Sequence, residues 1–170
     1  MFGRKNSDAE VRRELAKVFP RLWRYCVTLT ANKADADDLA QATCLRALER
    51  SDQFQTGTHI DRWIFRIAHR IWLNELRSAK VRRAEAIAPL QNTEFIDEQP
   101  NLETNIIARE VLYEVMKLPE AQRTVVLLVY VEGYSYKEAA EVIEIPIGTV
   151  MSRLAAARKT LKQETNGQKG

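Results

Sequence analysis

Residues 134–161, YSYKEAAEVIEIPIGTVMSRLAAARKTL, predict two short helices joined by a tight turn. Ser135 and Glu138 have the spacing of a capping box, in which each side chain hydrogen-bonds an unpaired backbone N–H at the start of a helix. Pro146 has a backbone angle suited to the start of a second helix. This is the layout of a helix-turn-helix, whose second helix can enter the major groove of DNA. A plain helical hairpin in a protein core has the same pattern, so spacing alone leaves DNA binding undecided.

The second helix of this pair has an apolar stripe and an opposite face of small and polar residues. The stripe has the period of a helix and consists of Val150, Leu154, Ala157 and Leu161. The opposite face consists of Ser152, Ala155, Ala156 and Lys159. A groove-facing surface of this kind lacks arginine, so we expect it to contact few guanines and to depend on methyl and phosphate contacts.

Length and composition allow one large domain or two small ones. The chain has 170 residues, of which 45% are hydrophobic, and a net charge of only +3. Cys26 and Cys44 have neither metal-ligand nor disulfide spacing, which predicts reduced thiols in a core. The longest strongly apolar run, residues 125–131, is too short to cross a bilayer, and the amino terminus lacks the apolar core of a signal peptide. We therefore expect a cytoplasmic chain with no membrane insertion.

The first 50 residues predict two helices. The first begins at Asp8 and meets Pro20, which we expect to end or kink it. A turn at residues 30–33 precedes the second helix. Its inward-facing residues are predicted to be Leu39, Ala42, Thr43, Leu45, Ala47 and Leu48. Three acids are predicted to lie in its first turn, where the helix dipole favours negative charge: Asp35, Asp37 and Asp38. That dipole role is sufficient to explain the acids, and docking of another protein on this face is the alternative.

A loop and a basic helix are predicted next. Residues 54–61 form the loop, and Asp61 is positioned to cap the helix. Between Arg62 and Arg83 there are seven cations and one acid, Glu75. Four arginines fall within a sector of roughly 80°: Arg62, Arg66, Arg70 and Arg77. The opposite side is predicted to consist of Ile64, Phe65, Ile67, Ala68, Ile71, Trp72 and Leu76. The arginine face suits a phosphate backbone, although a merely solvated basic face has the same pattern.

The segment 84–102 separates this part of the chain from the helix-turn-helix. It contains Pro89 and Pro100 and has no helical period, and residues 85–120 hold eight acids against two cations. This composition predicts a flexible acidic linker. Beyond it, Leu118-Pro119 is predicted to end one helix, and Gly133 to end a strongly apolar helix over 121–131. The chain is therefore predicted to be all-α, with domains at 8–83 and 103–163.

Motifs for catalysis are absent from the sequence. His59 and His69 share no helical register and have no cysteine or acid cluster at metal-ligand spacing. There is no glycine-rich phosphate loop, no nucleophile elbow and no H-E-x-x-H motif. We therefore expect neither enzymatic activity nor a bound metal or cofactor.

Three blocks of the sequence resemble, in order and spacing, the extracytoplasmic-function (ECF) group of RNA polymerase sigma factors. They are DADDLAQATCLRALE, GTHIDRWIFRIAHRIWLNELR and LPEAQRTVVLLVYVEGYSYKEAAEVIEIPIGTVMSRLAAARKTL. The resemblance implies a sigma-2 domain followed by a sigma-4 domain. It also implies binding to core RNA polymerase and promoter DNA, recognition of the minus-ten and minus-thirty-five elements, strand opening, and a cognate anti-sigma factor.

The resemblance further assigns residues to each partner. Those implied for core polymerase are Asp35, Asp37, Asp38 and Gln41. Those implied for minus-ten DNA are Thr56, Gly57, Thr58, His59, Ile60, Arg62, Trp63, Arg66, Arg70, Asn74 and Arg77. Those implied for minus-thirty-five DNA are Thr149, Met151, Ser152, Arg153, Ala155, Ala156, Arg158 and Lys159. The loop of the minus-ten set would capture a flipped base, and basic residues and polymerase contacts would offset the cost of flipping.

The chain departs from the family pattern in the helix-turn-helix. Glu144 stands where the family usually has glycine in the turn, and Met151 replaces a frequent lysine or arginine. Ala155 and Ala156 replace bulky and basic residues. These departures put the strength and sequence of minus-thirty-five recognition in doubt.

Two other hypotheses stay open beside a promoter-specificity subunit. A sigma-like decoy would bind an anti-sigma protein but no promoter, and the weak groove face motivates it, although a decoy would be expected to lose the basic helix as well. A plain helix-turn-helix repressor would leave residues 62–83 and the first domain without a purpose.

Overall fold

A computed structural model of the protein describes residues 2–85 and 106–167. These residues divide into two compact units, one on each side of the gap. The first contains α1 (Phe2–Thr30), α2 (Lys33–Glu49), a 3₁₀ turn (Ser51–Gln53) and α3 (Ile60–Glu85). The second contains α4 (Ile106–Lys117), α5 (Glu120–Val126), a π-helical turn (Leu127–Val131), α6 (Tyr136–Ile143) and α7 (Ile147–Gly167). The described residues form no β-strand, and the predicted all-α class is confirmed. Most of the predicted linker, 84–102, lies outside them.

The first unit is a three-helix core in which α1 packs against both α2 and α3. Tyr25 of α1 is fully buried and stacks on Phe65 of α3, with the ring centroids 4.8 Å apart. Such an aromatic pair stabilises a core by about 0.5–1.5 kcal/mol beyond the burial of its apolar area. Leu22 and Leu29 of α1 and Leu39 of α2 complete the most buried part.

The first helix differs from its prediction at both ends. It begins at Phe2 rather than at Asp8, and it continues through Pro20 to Thr30. Proline removes one backbone N–H and leaves the carbonyl four residues earlier, on Ala16, without its helical donor. Ala16 and Pro20 are both exposed, so water can hydrogen-bond this carbonyl and the helix does not have to end.

The inward face of α2 is narrower than predicted. Leu39, Thr43 and Ala47 are fully buried, but Leu45 is 59% exposed. At 100° per residue, Leu45 lies on the side of the helix opposite that stripe. Because α2 packs on its neighbours through this one stripe, Leu45 stays in water, and its predicted inward position was wrong.

In the second unit, α7 packs against both α5 and α6, and α6 also contacts the π-helical turn. Four apolar residues of α6 are buried: Ala139, Ala140, Val142 and Ile143. The predicted capping box at the start of α6 is confirmed, since Ser135 Oγ accepts a hydrogen bond from the Glu138 N–H at 3.1 Å and Glu138 Oε2 accepts one from the Ser135 N–H at 2.9 Å. In α7, Val150, Leu154 and Ala157 are fully buried, as the stripe predicted.

Arg123 connects α5 to the end of α4. Its guanidinium is buried and donates hydrogen bonds to the carbonyl oxygens of Met116, at 3.2 Å, and Leu118, at 3.1 Å. Burial lowers the pKa of Arg123 from its ordinary value. A buried cation therefore satisfies carbonyls that the break before Pro119 leaves without helical donors.

The helix that begins with α5 widens before it ends. Over Leu127–Val131 the backbone is π-helical, and the Glu132 N–H bonds the Leu127 carbonyl five residues earlier, at 2.9 Å. Gly133 then has a φ of +73°, the left-handed conformation that a glycine at a helix end supplies. The predicted role of Gly133 in ending this helix is confirmed.

The turn of the helix-turn-helix contains a strained residue. Glu144 ends α6 with a φ of 57° and a ψ of 46°, the left-handed helical region. A residue with a Cβ is disfavoured there by about 1–2 kcal/mol, whereas glycine is not. The second helix then starts from Pro146, whose carbonyl accepts the N–H of Thr149 at 2.9 Å.

We expect Glu144→Gly to stabilise the second unit by about 1 kcal/mol or less, because relief of the left-handed strain exceeds the extra unfolded-state entropy of glycine. Gly133→Ala is the matched control and should destabilise the second unit. Its added Cβ would meet no atom within 4 Å, so only the backbone strain would change. Hydrogen exchange of the α6 and α7 amides measures both effects. Protection that falls in Glu144→Gly would contradict the prediction.

Candidate nucleic-acid interface

Near the start of α2, two of the residues implied for core polymerase are exposed and a third is half-buried. Asp38 and Gln41 are exposed and lie on one side of the helix. Asp37 is half-buried, and its Oδ1 accepts a hydrogen bond of 2.6 Å from Trp23 Nε1 of α1. The geometry therefore separates Asp37, which joins α2 to α1, from the exposed pair. Sequence spacing did not reveal this bond because Trp23 lies on another helix.

Only one of the three acids lies in the first turn of α2, contrary to the prediction. That acid is Asp35, whose N–H donates to the side chain of the capping residue Asn32 at 3.0 Å. The dipole effect falls off within the first turn, so it explains Asp37 and Asp38 less well. Glu75 of α3 belongs to the same acidic region, because partial burial, and then Asp35 and Asp38, raise the pKa of its carboxyl.

The predicted loop before the basic helix is short and open to solvent. Thr56, Gly57, Thr58 and His59 are all exposed, and Gly57 has a φ of +82°. The hydroxyl of Thr58 donates to the carbonyl of Gln55 at 2.7 Å, which closes the turn. A base could approach this loop without displacing core side chains.

The loop is anchored at both ends by packing. Phe54 is buried, and its ring centroid lies 5.2 Å from that of Trp63, which is half-buried on α3. Ile60, half-buried, begins α3 and packs on the same cluster. Trp63 thus has a structural partner on its own chain, in addition to the minus-ten DNA contact that the resemblance implies.

The first turn of α3 is tied to α1 by an ion pair. Arg21 Nη2 lies 3.0 Å from Asp61 Oδ2, and the Arg21 guanidinium also lies 5.6 Å from the centroid of the Phe65 ring. Asp61 therefore does not cap α3 as predicted; it lies inside the first turn, and the carbonyl of His59 accepts the N–H of Trp63 at 3.2 Å. Arg21 was missed because nothing in its local pattern indicates a partner 40 residues away.

The basic side of α3 is more accessible toward its carboxyl end. Arg62 and Arg66 are half-buried, whereas Arg70, Asn74 and Arg77 are exposed. The opposite side is buried at Ile64, Phe65 and Ala68, as predicted. Leu76 is instead 40% exposed, because α3 continues beyond the point where α1 and α2 cover it.

The candidate groove face of α7 points away from its own unit. Five of its residues are exposed: Met151, Ser152, Ala155, Ala156 and Lys159. On its flanks, Thr149 and Arg153 are half-buried and Arg158 is exposed. The hydroxyl of Ser152 donates to the carbonyl of Thr149 at 3.1 Å, so a base would have to compete with the helix for it. Ile147, the first residue of α7, is 48% exposed beside this face and was not among the predicted contacts.

Within residues 2–85 and 106–167, no cluster of three or more histidine, cysteine or acidic residues could hold a metal ion. His69 is buried, and its Nδ1 lies 3.1 Å from the hydroxyl of Tyr25. Both cysteines are free thiols, with Cys26 buried and Cys44 half-buried.

Comparison with known proteins agrees with this division into two units. Residues 15–82 match the family model of Sigma-70 region 2, and residues 108–161 match that of Sigma-70, region 4. The ECF RNA polymerase sigma factor EcfG of Rhodopseudomonas palustris is 32% identical over 151 residues, which cover 89% of this chain and 82% of that protein. The chain belongs to the ECF RNA polymerase sigma factors.

Further comparisons support the same family and the same fold. SigW of Bacillus subtilis, also an ECF sigma factor, is 24% identical over 94% of this chain and 91% of its own length. The sigma factor RpoE of Bartonella quintana, solved in complex with the anti-sigma factor NepR, has a TM-score of 0.79 at 25% identity, covering 91% of this chain and 95% of its own. CnrH, solved with the cytosolic domain of CnrY, has the same fold, with a TM-score of 0.61 at 21% identity over 98% of this chain and 96% of its own.

Membership in this family establishes what the sigma factor does. It binds core RNA polymerase and directs promoter-specific transcription initiation through DNA recognition and strand opening. Across the described ranges, no helix is long and apolar enough to span a membrane.

The buried thiol gives this sigma factor a stability that depends on pH. Burial, followed by the nearby Cys44 and Glu75, raises the pKa of Cys26 from its ordinary value of 9.0 to about 12. The unfolded thiol ionises near pH 9 while the folded thiol stays neutral. The stabilisation is therefore fully present below about pH 9 and is lost as pH rises toward 12.

We expect the free energy of unfolding of the first unit to fall between pH 9 and 11 by up to about 1.4 kcal/mol per pH unit from this group. Urea denaturation followed by tryptophan fluorescence measures it, because Trp23, Trp63 and Trp72 all lie in the first unit. Cys26→Ala should be less stable at pH 7, since it leaves a cavity, but its slope above pH 9 should be smaller. Equal slopes in the two proteins would contradict the assignment.

Proposed function

We propose that residues 8–83 of this sigma factor bind core polymerase and the minus-ten element, that residues 84–102 act as a linker, and that residues 103–163 bind the minus-thirty-five element. One observation carries this proposal: each unit exposes a basic helix whose opposite face is buried in its own core. A helix held in this way can present one set of side chains to DNA without unfolding.

Core polymerase docks, in this proposal, on the exposed side of α2. Asp38 and Gln41 are available there, and Asp35 lies at the start of the same helix. Asp37 contributes indirectly, because its bond to Trp23 holds α2 against α1. We assign Asp37 a positioning role and the exposed residues the direct contact.

Asp38→Arg with Gln41→Ala should weaken co-purification with core polymerase and reduce run-off transcription, while unfolding of the first unit stays unchanged, because both residues are exposed. Asp37→Asn is the contrasting variant. It weakens a charge-assisted hydrogen bond, so it should lower the free energy of unfolding by about 1–3 kcal/mol and affect core binding less at low temperature. Unchanged co-purification of the double variant would assign the docking surface elsewhere.

Promoter opening, in this proposal, depends on the loop Thr56–Ile60 and on the basic side of α3. The exposed loop supports capture of a flipped base, and Trp63 forms its floor with Phe54. Arg62, Arg66, Arg70 and Arg77 supply phosphate contacts along the melted strand, with Asn74 beside them. The ion pair of Arg21 with Asp61 keeps the loop and the first turn of α3 in place.

Arg66→Ala with Arg70→Ala should weaken promoter binding and reduce permanganate reactivity of the melted strand. If both arginines meet phosphates, the slope of log affinity against log salt should fall by about 2. Arg12→Ala with Lys17→Ala removes the same charge from the exposed side of α1 and should leave the slope unchanged. Equal slopes for the two double variants would mean that the α3 face is only solvated.

Minus-thirty-five recognition is assigned to α7. Thr149 and the first backbone N–H groups of the helix can hold a phosphate, with Arg153 and Arg158 on the flanks. Met151, Ser152, Ala155, Ala156 and Lys159 are the proposed base-facing residues. The small side chains allow close approach of the helix to the groove.

A cognate anti-sigma factor and a cytoplasmic location complete the proposal. The complex of the Bartonella quintana sigma factor with NepR supports a cognate anti-sigma factor for this chain as well. We place the protein in the cytoplasm, where core polymerase acts. The sigma factor itself performs no catalytic step, since the polymerase supplies the chemistry.

A further inference from the structure

A row of apolar side chains on α7 is exposed to water. Ile147 is 48% exposed, and Met151, one turn later, is 50% exposed. Ala155 follows at the same spacing and is also exposed. Residues at i, i+4 and i+8 lie along one side of a helix, so the three form a continuous strip, which we call the α7 apolar row.

The core of the second unit does not use this row. Val150, Leu154 and Ala157 carry the packing of α7, and all three are fully buried. At 100° per residue, the α7 apolar row lies about a quarter turn away from that stripe. Its exposure is therefore a consequence of how α7 is rotated, and about half of the surface of Ile147 and Met151 stays in water.

The charge around the row indicates what kind of molecule covers it. Between Ile147 and Gly167 there are four cations and a single acid, Glu164. Three of the cations, Arg158, Lys159 and Lys162, follow the row beyond its carboxyl end and lie within about 80° of it, whereas Arg153 lies on the far side of the helix. An apolar strip that is followed by cations on the same side of the helix fits a partner that is anionic and also carries apolar groups. The major groove of DNA is such a partner, because phosphates line it and the C5-methyl of thymine is the apolar group on its base edges.

The position of the row within α7 agrees with this partner. The amino-terminal residues of a recognition helix are those that contact base edges in helix-turn-helix proteins, and Ile147 is the first residue of α7. We propose that the α7 apolar row contacts thymine C5-methyl groups in the minus-thirty-five element and thereby selects thymine at the contacted positions. This inference rests on the proposed function, in which α7 enters the groove.

Thymine and deoxyuridine differ only by the C5-methyl group, which allows a direct test. The full chain is assembled with core polymerase, and promoters are recovered from a library with random minus-thirty-five sequences. Each thymine of the recovered element is then replaced singly by deoxyuridine. At one position or more, the holoenzyme should bind the deoxyuridine promoter about fourfold more weakly, the effect of losing one buried methyl group.

Variants of the row link this loss to particular side chains. In Met151→Ala, deoxyuridine and thymine should become equivalent at one of the sensitive positions, whereas Met151→Leu keeps an apolar side chain of similar size and should keep the difference. Arg153→Ala is the matched control in the same helix. It should weaken binding to thymine and deoxyuridine promoters by the same factor, because a phosphate contact is independent of the base.

The outcomes separate this inference from the function on which it rests. A wild-type holoenzyme that recovers no promoter would overturn the proposed function. A holoenzyme that recovers promoters but binds thymine and deoxyuridine equally at every position, or whose recovered element has no thymine on either strand, would overturn the α7 apolar row alone. An unchanged ratio in Met151→Ala together with lost binding of an anti-sigma factor would assign the row to a protein partner instead.

Discussion

Burial of one stripe of α7 determines which residues this protein can offer to DNA. Val150, Leu154 and Ala157 are fully buried, and each of the two larger side chains contributes about 1.5–3 kcal/mol when it leaves water. Rotating α7 by a single residue position, about 100°, would expose this stripe and bury either Met151 and Ala155 or Thr149 and Arg153 in its place, depending on the direction of rotation. The core therefore fixes the orientation of α7. Core packing, and not the outward residues themselves, decides which residues face outward. Specificity can change at the outward positions while the fold is kept.

The first unit follows the same logic with two additional polar links. One face of α3 is held in the core by Ile64 and Phe65, which leaves its arginines outside. The Trp23–Asp37 hydrogen bond and the Arg21–Asp61 ion pair both start from α1 and reach α2 and α3 respectively. The long first helix thus positions both α2, the proposed docking helix, and α3, the proposed DNA-facing helix. Through α1, the sigma factor holds the proposed polymerase surface on α2 and the proposed minus-ten surface on α3 in a constant relation.

Local signals in the sequence were sufficient where the cause is local. The capping box and the glycine after the apolar helix depend on a few adjacent residues, and both were predicted correctly. The α7 stripe was also predicted, because its period is regular. The errors occurred where tertiary context decides. Pro20 is tolerated because its side of α1 is exposed, and Leu45 is exposed because α2 uses only one stripe. The partners of Asp37 and Asp61 lie on another helix, which spacing cannot reveal.

The π-helical turn at Leu127–Val131 has a consequence for how this chain tolerates changes in length. A π turn holds one residue more than an α turn, and it is the form that an α-helix takes when one inserted residue is absorbed without breaking the helix. In an unbroken α-helix the same insertion would rotate everything after it by about 100° and place the next capping box in the wrong direction. The wide turn is thus equivalent to an insertion that has already been accommodated. Loss of one residue from this turn would therefore leave an ordinary α turn, with the two helices beyond it in the same alignment.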